Sequence, residues 1–276
     1  MIQITKNNLD KIASEHYEAI KDKIDIKDSI LKKIILAKPN ELKNIAIGYK
    51  RYNKKFENKY DNFTTIKKEY CAYNLLQKLN ITVCPYCNRN TIYNLKYTKK
   101  RTSELDHFYP KSEYPVLALS FYNLIPSCKI CNKLKSDKNQ EYINPYDKQY
   151  NFNKNIKFDF KIKDATFTYS TDGFKLLCKA DKNISKDEKR RARNNIQLFK
   201  LNDLYQNHKD TVLELIQKRE IYPDSYIDEL YENYSFFNNR EDVLRLITGG
   251  YIDDKDLGKR PLSKLIKDIS EELELI

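Results

Sequence analysis

Two Cys-x-x-Cys pairs constrain this chain more than any other feature of its sequence. Cys84 and Cys87 form the first pair, Cys128 and Cys131 form the second, and forty residues separate them. A two-residue spacer lets one tight turn direct both sulfurs at a single ion, and four thiolates complete a closed tetrahedral zinc site. The pattern therefore predicts one structural zinc ion bound by all four cysteines. A short segment stapled in this way needs little hydrophobic core of its own.

The composition indicates a globular protein of a reducing compartment. With 276 residues, 40% of them hydrophobic, the chain can build an ordinary core. It contains no apolar run of eighteen residues, and its first twenty residues lack the apolar centre of a signal peptide. We therefore expect a cytoplasmic protein with no membrane partner, whose paired cysteines bind metal instead of forming disulfides. Cys71 and Cys178 stand alone in apolar surroundings and are predicted to be buried small hydrophobic residues.

The charge of the chain favours a polyanionic partner without proving one. The formal net charge is +12, and lysines and arginines that neutralise phosphates gain affinity by releasing counterions. Most of these cations are lysines in a chain also crowded with Asn, Ile and Tyr, a mixture that AT-rich codons produce whatever the function. No separate DNA-recognition element is evident. Any sequence preference is therefore expected to be low or to come from a partner.

Three regions follow one another along the chain. Residues 1–80 predict amphipathic helices in LDKIASEHYEAIKDKI, DSILKKIILA and TTIKKEYCAYNLLQKLN, divided by Pro39 and the polar KKFENKYDN. Residues 81–147 break into short segments with no sustained period, as a small metal-stapled module would. Residues 148–276 begin with two or three antiparallel strands around an Asp172-Gly173 turn signal and continue as helices. The fold class expected is α+β, a mainly helical protein that contains a small zinc module and a small antiparallel hairpin.

Polar residues suited to metal-assisted hydrolysis lie between the two cysteine pairs. Asp106 and His107 end a strand-like stretch, where adjacent side chains point to opposite faces. One side chain can therefore bind a metal while the other contacts a water. Asn123 follows in the apolar context FYNLI, and Asn132 comes directly after the last cysteine, at the start of a predicted helix NKLKSDK. Oxygens from an Asp and an Asn suit magnesium, which keeps several waters and binds phosphate oxygens through its open positions.

The order of these residues resembles that of the HNH endonuclease family in its zinc-stapled form. The shared pattern is Asp-His, an Asn sixteen residues after the His, and Cys-x-x-Cys-Asn, framed by an upstream Cys-x-x-Cys. The resemblance implies a ββα-metal module in which Asp106 and Asn132 bind the catalytic cation and His107 is the general base. It also implies that Asn123 braces the loop carrying His107. An Asn at the third position, a variant the family uses, favours Mg²⁺ or Mn²⁺ over a soft metal.

A narrower resemblance extends beyond the motif. The continuation INPYDKQYNFNKNIKFDFKI, the strand pair and NNIQLFKLNDLY resemble the PtuB group, the HNH subunits of Septu-type antiphage systems and related retron cassettes. This implies a nuclease that cleaves DNA once infection is sensed and that works with an ABC/SMC-like ATPase of the PtuA type. Residues 1–80 and the last fifty residues show no such resemblance.

Two alternatives remain open from the residues. A zinc-stapled nucleic-acid-binding or scaffold subunit without catalysis needs only the cysteines and the positive charge, but it has no need of Asp106, His107 and Asn132 at nuclease spacing. An HNH nuclease acting on RNA is also open, because the motif recognises a phosphodiester and not the sugar. Four basic residues lie near enough in sequence to contact phosphates: Arg89, Lys111, Lys133 and Lys135.

Overall fold

A computed structural model of the chain describes residues 1–65 and 70–276. Helices dominate these residues: α1 (Leu9–Ile20), α2 (Asp28–Ile35), α3 (Leu42–Gly48), α4 (Asn53–Phe56), α5 (Lys59–Thr65), α6 (Ala72–Leu79), α7 (Lys129–Lys135), α8 (Phe152–Asn155), α9 (Lys186–Leu198), α10 (Leu201–Tyr205), α11 (Lys209–Ile221), α12 (Asp224–Asn233), α13 (Arg240–Thr248) and α14 (Ser263–Glu272). The strands are β1 (Asn94–Leu95), β2 (Lys100–Arg101), β3 (Glu104–His107), β4 (Leu124–Ser127), β5 (Ile156–Ile162) and β6 (Phe174–Ala180).

These strands pair as three small antiparallel sheets, β1 with β2, β3 with β4 and β5 with β6. The predicted α+β class is confirmed. Among the described residues, none of the helices combines the length and the apolar character that crossing a lipid bilayer requires.

The described chain divides into two compact units. One, here called the motif unit, comprises Gln3–Tyr86 and Asn90–Asn151; the other, the C-terminal unit, comprises Met1–Ile2, Cys87–Arg89 and Phe152–Ile276. The three-part domain organisation expected from the sequence, with boundaries near residues 80 and 147, stays a prediction.

The N-terminal helices of the motif unit are shorter than the sequence pattern predicts. Within the predicted helix 64–80, residues 66–69 lie outside the described residues. On their C-terminal side Cys71 is extended, with φ −144° and ψ 179°, and α6 begins only after it. The break is stabilised by the Asn74 side chain, which accepts a hydrogen bond of 3.1 Å from the Cys71 amide. The polar segment KKFENKYDN, expected to separate helices, instead contributes to α4 and α5.

A ββα arrangement forms the centre of the motif unit. Strands β3 and β4 pair with His107 opposite Leu124 and Asp106 opposite Ile125, and every residue of β4 is buried. Helix α7 follows β4 directly. It begins at Lys129, one turn earlier than the predicted NKLKSDK, because Cys128 serves as its N-cap residue. The hairpin and the helix thereby place the Asp-His pair and the second cysteine pair in one small substructure.

The C-terminal unit contains the predicted hairpin in modified form. Strands β5 and β6 pair from Ile156 opposite Ala180 to Ile162 opposite Phe174. Only two strands form in this region of the described chain. The connecting segment ATFTYS alternates like a strand, but it closes into a 3-10 turn that begins where the Asp164 side chain accepts the Thr166 amide.

Helix α14 is joined to the same hairpin through a buried ion pair. The Asp268 carboxylate binds the Lys264 ammonium and accepts the amide of Phe158 at 2.9 Å. Both charged side chains are buried, so each depends on the other for compensation of its lost hydration. The pair therefore fixes how α14 packs on β5.

Candidate active site and metal centre

The four paired cysteines come together as predicted. The sulfurs of Cys84, Cys87, Cys128 and Cys131 all lie within 4.8 Å of one another, every one of these residues is buried, and all are free thiols. A tetrahedral zinc ion with Zn–S bonds of about 2.3 Å holds its sulfurs at this kind of spacing. The donor set therefore fits a structural zinc.

Local backbone structure directs these sulfurs inward. In the first pair the Cys84 amide donates to the carbonyl of Asn90 at 2.9 Å, which closes the turn. In the second pair the Cys128 sulfur accepts the Cys131 amide at 3.5 Å and the Asn90 side chain at 3.2 Å. Donors to sulfur favour the thiolate form that a metal requires. These hydrogen bonds thus hold the cysteine sulfurs in position to bind a metal.

His107 lies at the end of β3 in a defined orientation. Its Nε2 lies 3.0 Å from the backbone oxygen of Ala118. Because a carbonyl oxygen only accepts, Nε2 carries the hydrogen, and the neutral ring keeps an unprotonated Nδ1. Burial lowers the pKa of His107 to about 4. The imidazole is therefore neutral at physiological pH and has a nitrogen able to accept a proton from water.

A tyrosine of helix α5 packs against this histidine. The Tyr60 ring meets the His107 ring edge-on, with centroids 4.3 Å apart, and the Tyr60 hydroxyl donates to the carbonyl of Leu105 at 3.1 Å. Burial raises the pKa of Tyr60 to about 12, so the hydroxyl stays protonated. Tyr60 therefore contacts both the imidazole and the backbone of the strand that carries it.

Asp106 is buried beside a phenol and a cation. Its side chain is 2% exposed, and its Oδ2 accepts the Tyr86 hydroxyl at 2.7 Å. The Lys135 ammonium lies 3.7 Å from the same oxygen. Burial raises the pKa of Asp106 above its usual range, while Lys135 and Tyr86 oppose this by stabilising the carboxylate. Tyr86 thus orients an oxygen donor of the type that hard divalent cations prefer.

Asn132 lies on α7 one turn before Lys135. It is partly exposed, whereas Lys135 is 1% exposed and donates to the carbonyl of His107 at 2.8 Å. Residues three apart share a helix face, so the face that carries Asn132 is the one directed at β3. The amide oxygen of Asn132 and the carboxylate of Asp106 are oxygen donors of the kind that binds Mg²⁺ or Mn²⁺.

Lys135 is therefore not a surface phosphate contact, in contrast to one sequence expectation. Burial next to Asp106 and His107 removes it from any DNA backbone. Lys111 is half-exposed and pairs with Asp61 at 2.8 Å. Lys133 is exposed, as expected.

Arg89 lies in the C-terminal unit, where it donates to the His208 ring at 2.9 Å. Its guanidinium also lies 5.9 Å from the centroid of the Tyr205 ring.

Asn123 connects two parts of the loop that follows His107. It is fully buried. Its Oδ1 accepts the Tyr109 amide at 2.8 Å, and its Nδ2 donates to the carbonyls of Tyr109 and Leu117, each at 3.1 Å. Leu117 immediately precedes Ala118, whose carbonyl orients the His107 ring. One amide group thus ties the residues after the histidine to the turn that carries its hydrogen-bond acceptor.

Contacts from the N-terminal helices hold this same turn. His16 of α1 donates from Nε2 to the carbonyl of Leu119 at 2.9 Å, and burial lowers the pKa of His16 to about 4. The Ser120 hydroxyl donates to the carbonyl of Ile34 at 2.7 Å, and the Asn53 side chain accepts the Val116 amide at 3.2 Å. The backbone from residue 116 to residue 120 is therefore fixed from several helices.

Sequence reasoning missed Tyr60, Tyr86, His16 and the buried role of Lys135. The burial of Lys135 could have been predicted, because this residue lies four positions after the buried Cys131 and so shares its helix face. The sequence gives a weak indication that Tyr86 lies near the site, because this residue stands inside the first cysteine pair. Tyr60 and His16 are brought to the site by tertiary packing and left no local pattern.

The geometry can be set beside known proteins. Residues 84–138 match the sequence model of the HNH endonuclease family. The chain is 37% identical over 101 residues to "Septu protein PtuB" of Bacillus thuringiensis, covering 35% of this chain and 37% of that protein. It is 28% identical over 131 residues to "Protein ea31" of Escherichia phage lambda, covering 44% of this chain and 39% of that protein. No solved structure matches the chain.

The alignments therefore span less than two thirds of either relative. The matched family segment contains all four cysteines, the Asp-His pair and both asparagines of the predicted pattern, so the resemblance expected from the sequence is confirmed. Residues 84–138 of this chain are an HNH endonuclease domain.

Proposed function

We propose that this chain is a metal-dependent endonuclease that hydrolyses phosphodiester bonds of DNA. We also propose that it is the nuclease subunit of an antiphage defence assembly that includes an ATPase of the PtuA type. The HNH match supports the reaction, and the similarity to Septu protein PtuB supports the defence setting.

The state of His107 is the observation that carries the proposal. Its Nε2–H is used by the carbonyl of Ala118, and its pKa of about 4 keeps the ring neutral. Phosphodiester hydrolysis needs a base that deprotonates the attacking water. In this proposal Nδ1 of His107 takes that proton, and Tyr60 and Asn123 keep the ring and its supporting turn in place.

Asp106 and Asn132 are the residues that would hold the catalytic cation. A bound Mg²⁺ or Mn²⁺ supplies positive charge to the phosphate and to the leaving oxygen. Tyr86 orients the Asp106 carboxylate, and Lys135 partly offsets the rise in the pKa of Asp106 that burial causes. The zinc held by the four cysteines has no chemical role here and stabilises the ββα substructure.

The test is cleavage of supercoiled plasmid by zinc-loaded wild-type protein and by His107→Ala. Each protein is assayed without added metal, with Mg²⁺, with Mn²⁺ and with EDTA, both alone and together with a purified ATPase of the PtuA type. We expect nicking or linearisation that requires added metal and is lost in His107→Ala. Zinc content and circular dichroism of the variant should equal those of the wild type, because His107 is not a zinc ligand.

A matched control is Lys133→Ala, an exposed change in the same domain that should leave the metal dependence of cleavage intact. Single-stranded DNA and RNA substrates are assayed in parallel. Cleavage of RNA alone would replace the proposed substrate. Binding without cleavage of any nucleic acid, by protein that carries its zinc, would establish the non-catalytic binding subunit instead.

A further inference from the structure

One stretch of the C-terminal unit has a charge opposite to that of the whole chain. Residues 220–254 contain nine carboxylates, two guanidinium groups and no lysine, a net charge of −7 in a chain of +12. The remainder of the protein therefore carries +19. Such a segregation of charge gives this stretch an electrostatic character unlike that of the rest of the protein.

The same stretch exposes an unusual amount of apolar surface. Helix α12 buries only Ile227 of its ten residues. Of the thirteen large hydrophobic residues that are exposed in the described part of the chain, six lie within residues 221–246: Ile221, Tyr226, Tyr231, Tyr234, Phe236 and Leu246. Single exposed apolar residues need no explanation, but six within 26 residues give this part of the chain an unusually apolar exposed surface.

The stretch is ordered by its own contacts. The rings of Tyr222 and Tyr226 stack in parallel, with centroids 5.8 Å apart and an angle of 6° between their planes. Arg240, at the start of α13, binds Asp224 and Asp228 of α12 at 2.8 and 2.7 Å. The surface is thus held in shape before any partner arrives, which lowers the entropic cost of binding.

The guanidinium groups of the stretch are already paired. Arg240 binds two carboxylates of α12, and Arg245 lies 3.3 Å from Asp242. The carboxylates Glu229 and Glu232 of α12 are exposed. The potential of this surface is therefore negative, and it repels a phosphate backbone.

We propose that α12, the segment from Tyr234 to Phe236 and Leu246 form a docking surface for a partner protein. We call this set the acidic aromatic surface. Its partner presents lysines and arginines around an apolar groove, because such a face complements both the carboxylates and the exposed tyrosine and phenylalanine rings. Tyrosines are over-represented among residues that dominate binding energy.

This inference goes beyond the nuclease site and rests on the proposed function only in the choice of probe. The probe is a purified ATPase of the PtuA type, and its affinity for the full chain is measured by biolayer interferometry at two salt concentrations. Two surface variants are compared with the wild type: Tyr226→Ser with Phe236→Ser, and Glu229→Lys with Glu232→Lys. Each pair should weaken binding by about tenfold or more, and wild-type binding should weaken with salt.

Matched controls come from the same unit. Tyr169→Ser removes another exposed ring and Glu272→Lys reverses another exposed charge, and both should bind the ATPase as the wild type does. Circular dichroism and zinc content show that each variant is folded. His107→Ala should also bind normally, so loss of docking and loss of cleavage are separate results.

Wild-type affinity in both surface variants, or no binding by the wild-type chain, would overturn the proposal. Sedimentation of the isolated chain measures whether it forms a dimer. A dimer that both surface variants dissociate would assign the acidic aromatic surface to a second copy and overturn the proposed partner.

Discussion

The buried ammonium group of Lys135 donates a 2.8 Å hydrogen bond to the backbone carbonyl of His107. The same group lies 3.7 Å from Oδ2 of Asp106, so one lysine contacts both residues of the Asp-His pair. A side chain from α7 thus fixes the end of β3, where the proposed base and the proposed metal ligand lie.

Replacing Lys135 by Met should destabilise the protein strongly. The substitution keeps the volume but leaves the Asp106 carboxylate buried without its cation, which costs about 3–5 kcal/mol in comparable pairs. Urea unfolding at pH 7 measures the loss. The exposed Lys133→Met, on the same helix, should change the free energy of unfolding by less than about 0.5 kcal/mol. Adding Asp106→Asn to Lys135→Met should recover part of the stability, and equal costs for the two lysine variants would contradict this account.

Tyr60→Ala should slow cleavage while Tyr60→Phe should not. The ring packs on His107, and loss of a positioning contact costs up to about 100-fold in rate. Water entering the vacated space should also move the pKa of His107 from about 4 toward 6.5, which NMR of the imidazole measures. Tyr60→Phe keeps the ring and gives up only the hydrogen bond to Leu105. If Tyr60→Ala left both the rate and this pKa unchanged, Tyr60 would have no positioning role.

Asn123→Ala should lower both stability and cleavage. It removes three hydrogen bonds of a fully buried side chain, each worth about 0.5–1.5 kcal/mol. The turn that carries Ala118 would lose its connection to Tyr109, so the cleavage rate should fall more than the folded fraction does. Asn139→Ala is the control, since its two hydrogen bonds are exposed. A rate that simply follows the folded fraction would show that Asn123 acts on stability alone.

Cys128→Ser should reduce zinc content and solubility together. Elemental analysis of the wild type should give one zinc per chain, because the four sulfurs form one cluster. Cys178→Ser, which alters a buried thiol outside that cluster, should keep full zinc. A folded Cys128→Ser protein with full zinc would show that the four-cysteine assignment is wrong.

The burial of His16 should make stability depend on pH. Its pKa is about 4 in the folded protein against 6.5 when unfolded, so the unfolded state takes up the proton first. The contribution of neutral His16 to the free energy of unfolding is therefore fully present above pH 6.5 and is lost progressively as the pH falls toward 4. The difference in unfolding free energy between wild type and His16→Gln should shrink by about 2 kcal/mol from pH 7 to pH 5. His107 titrates in both proteins and cancels, so a constant difference would contradict the prediction.

The metal-binding part of the site was readable from the sequence because its determinants are local. Two residues between cysteines dictate a turn, and the order of Asp106, His107 and the cysteines along the chain is preserved as β3 and α7 in space. The α+β class followed in the same way from periodicity. The roles of the individual site residues remain proposals.

The residues that surround the site could not be predicted from the sequence, because they reach it through contacts between positions far apart along the chain. Tyr60 lies 47 positions before His107 in the sequence, yet their rings touch. The segment ATFTYS alternates like a strand but forms a 3-10 turn capped by the Asp164 side chain, so two of the two or three expected strands are present. Lys135 looked like one surface lysine among many until its burial was seen.

The contacts of His16, Asn53 and Tyr60 with the loop around His107 bear on how the proposed nuclease site can be altered or transferred to another protein. The matched segment 84–138 begins after all three of these residues. Cut out or grafted onto another scaffold, that segment would retain its ligands but lose the supports of the backbone at Val116 and Leu119. The motif is thus not an autonomous cassette. The position of the proposed base depends on helices that precede the matched segment, and changes in those helices should reduce the proposed cleavage.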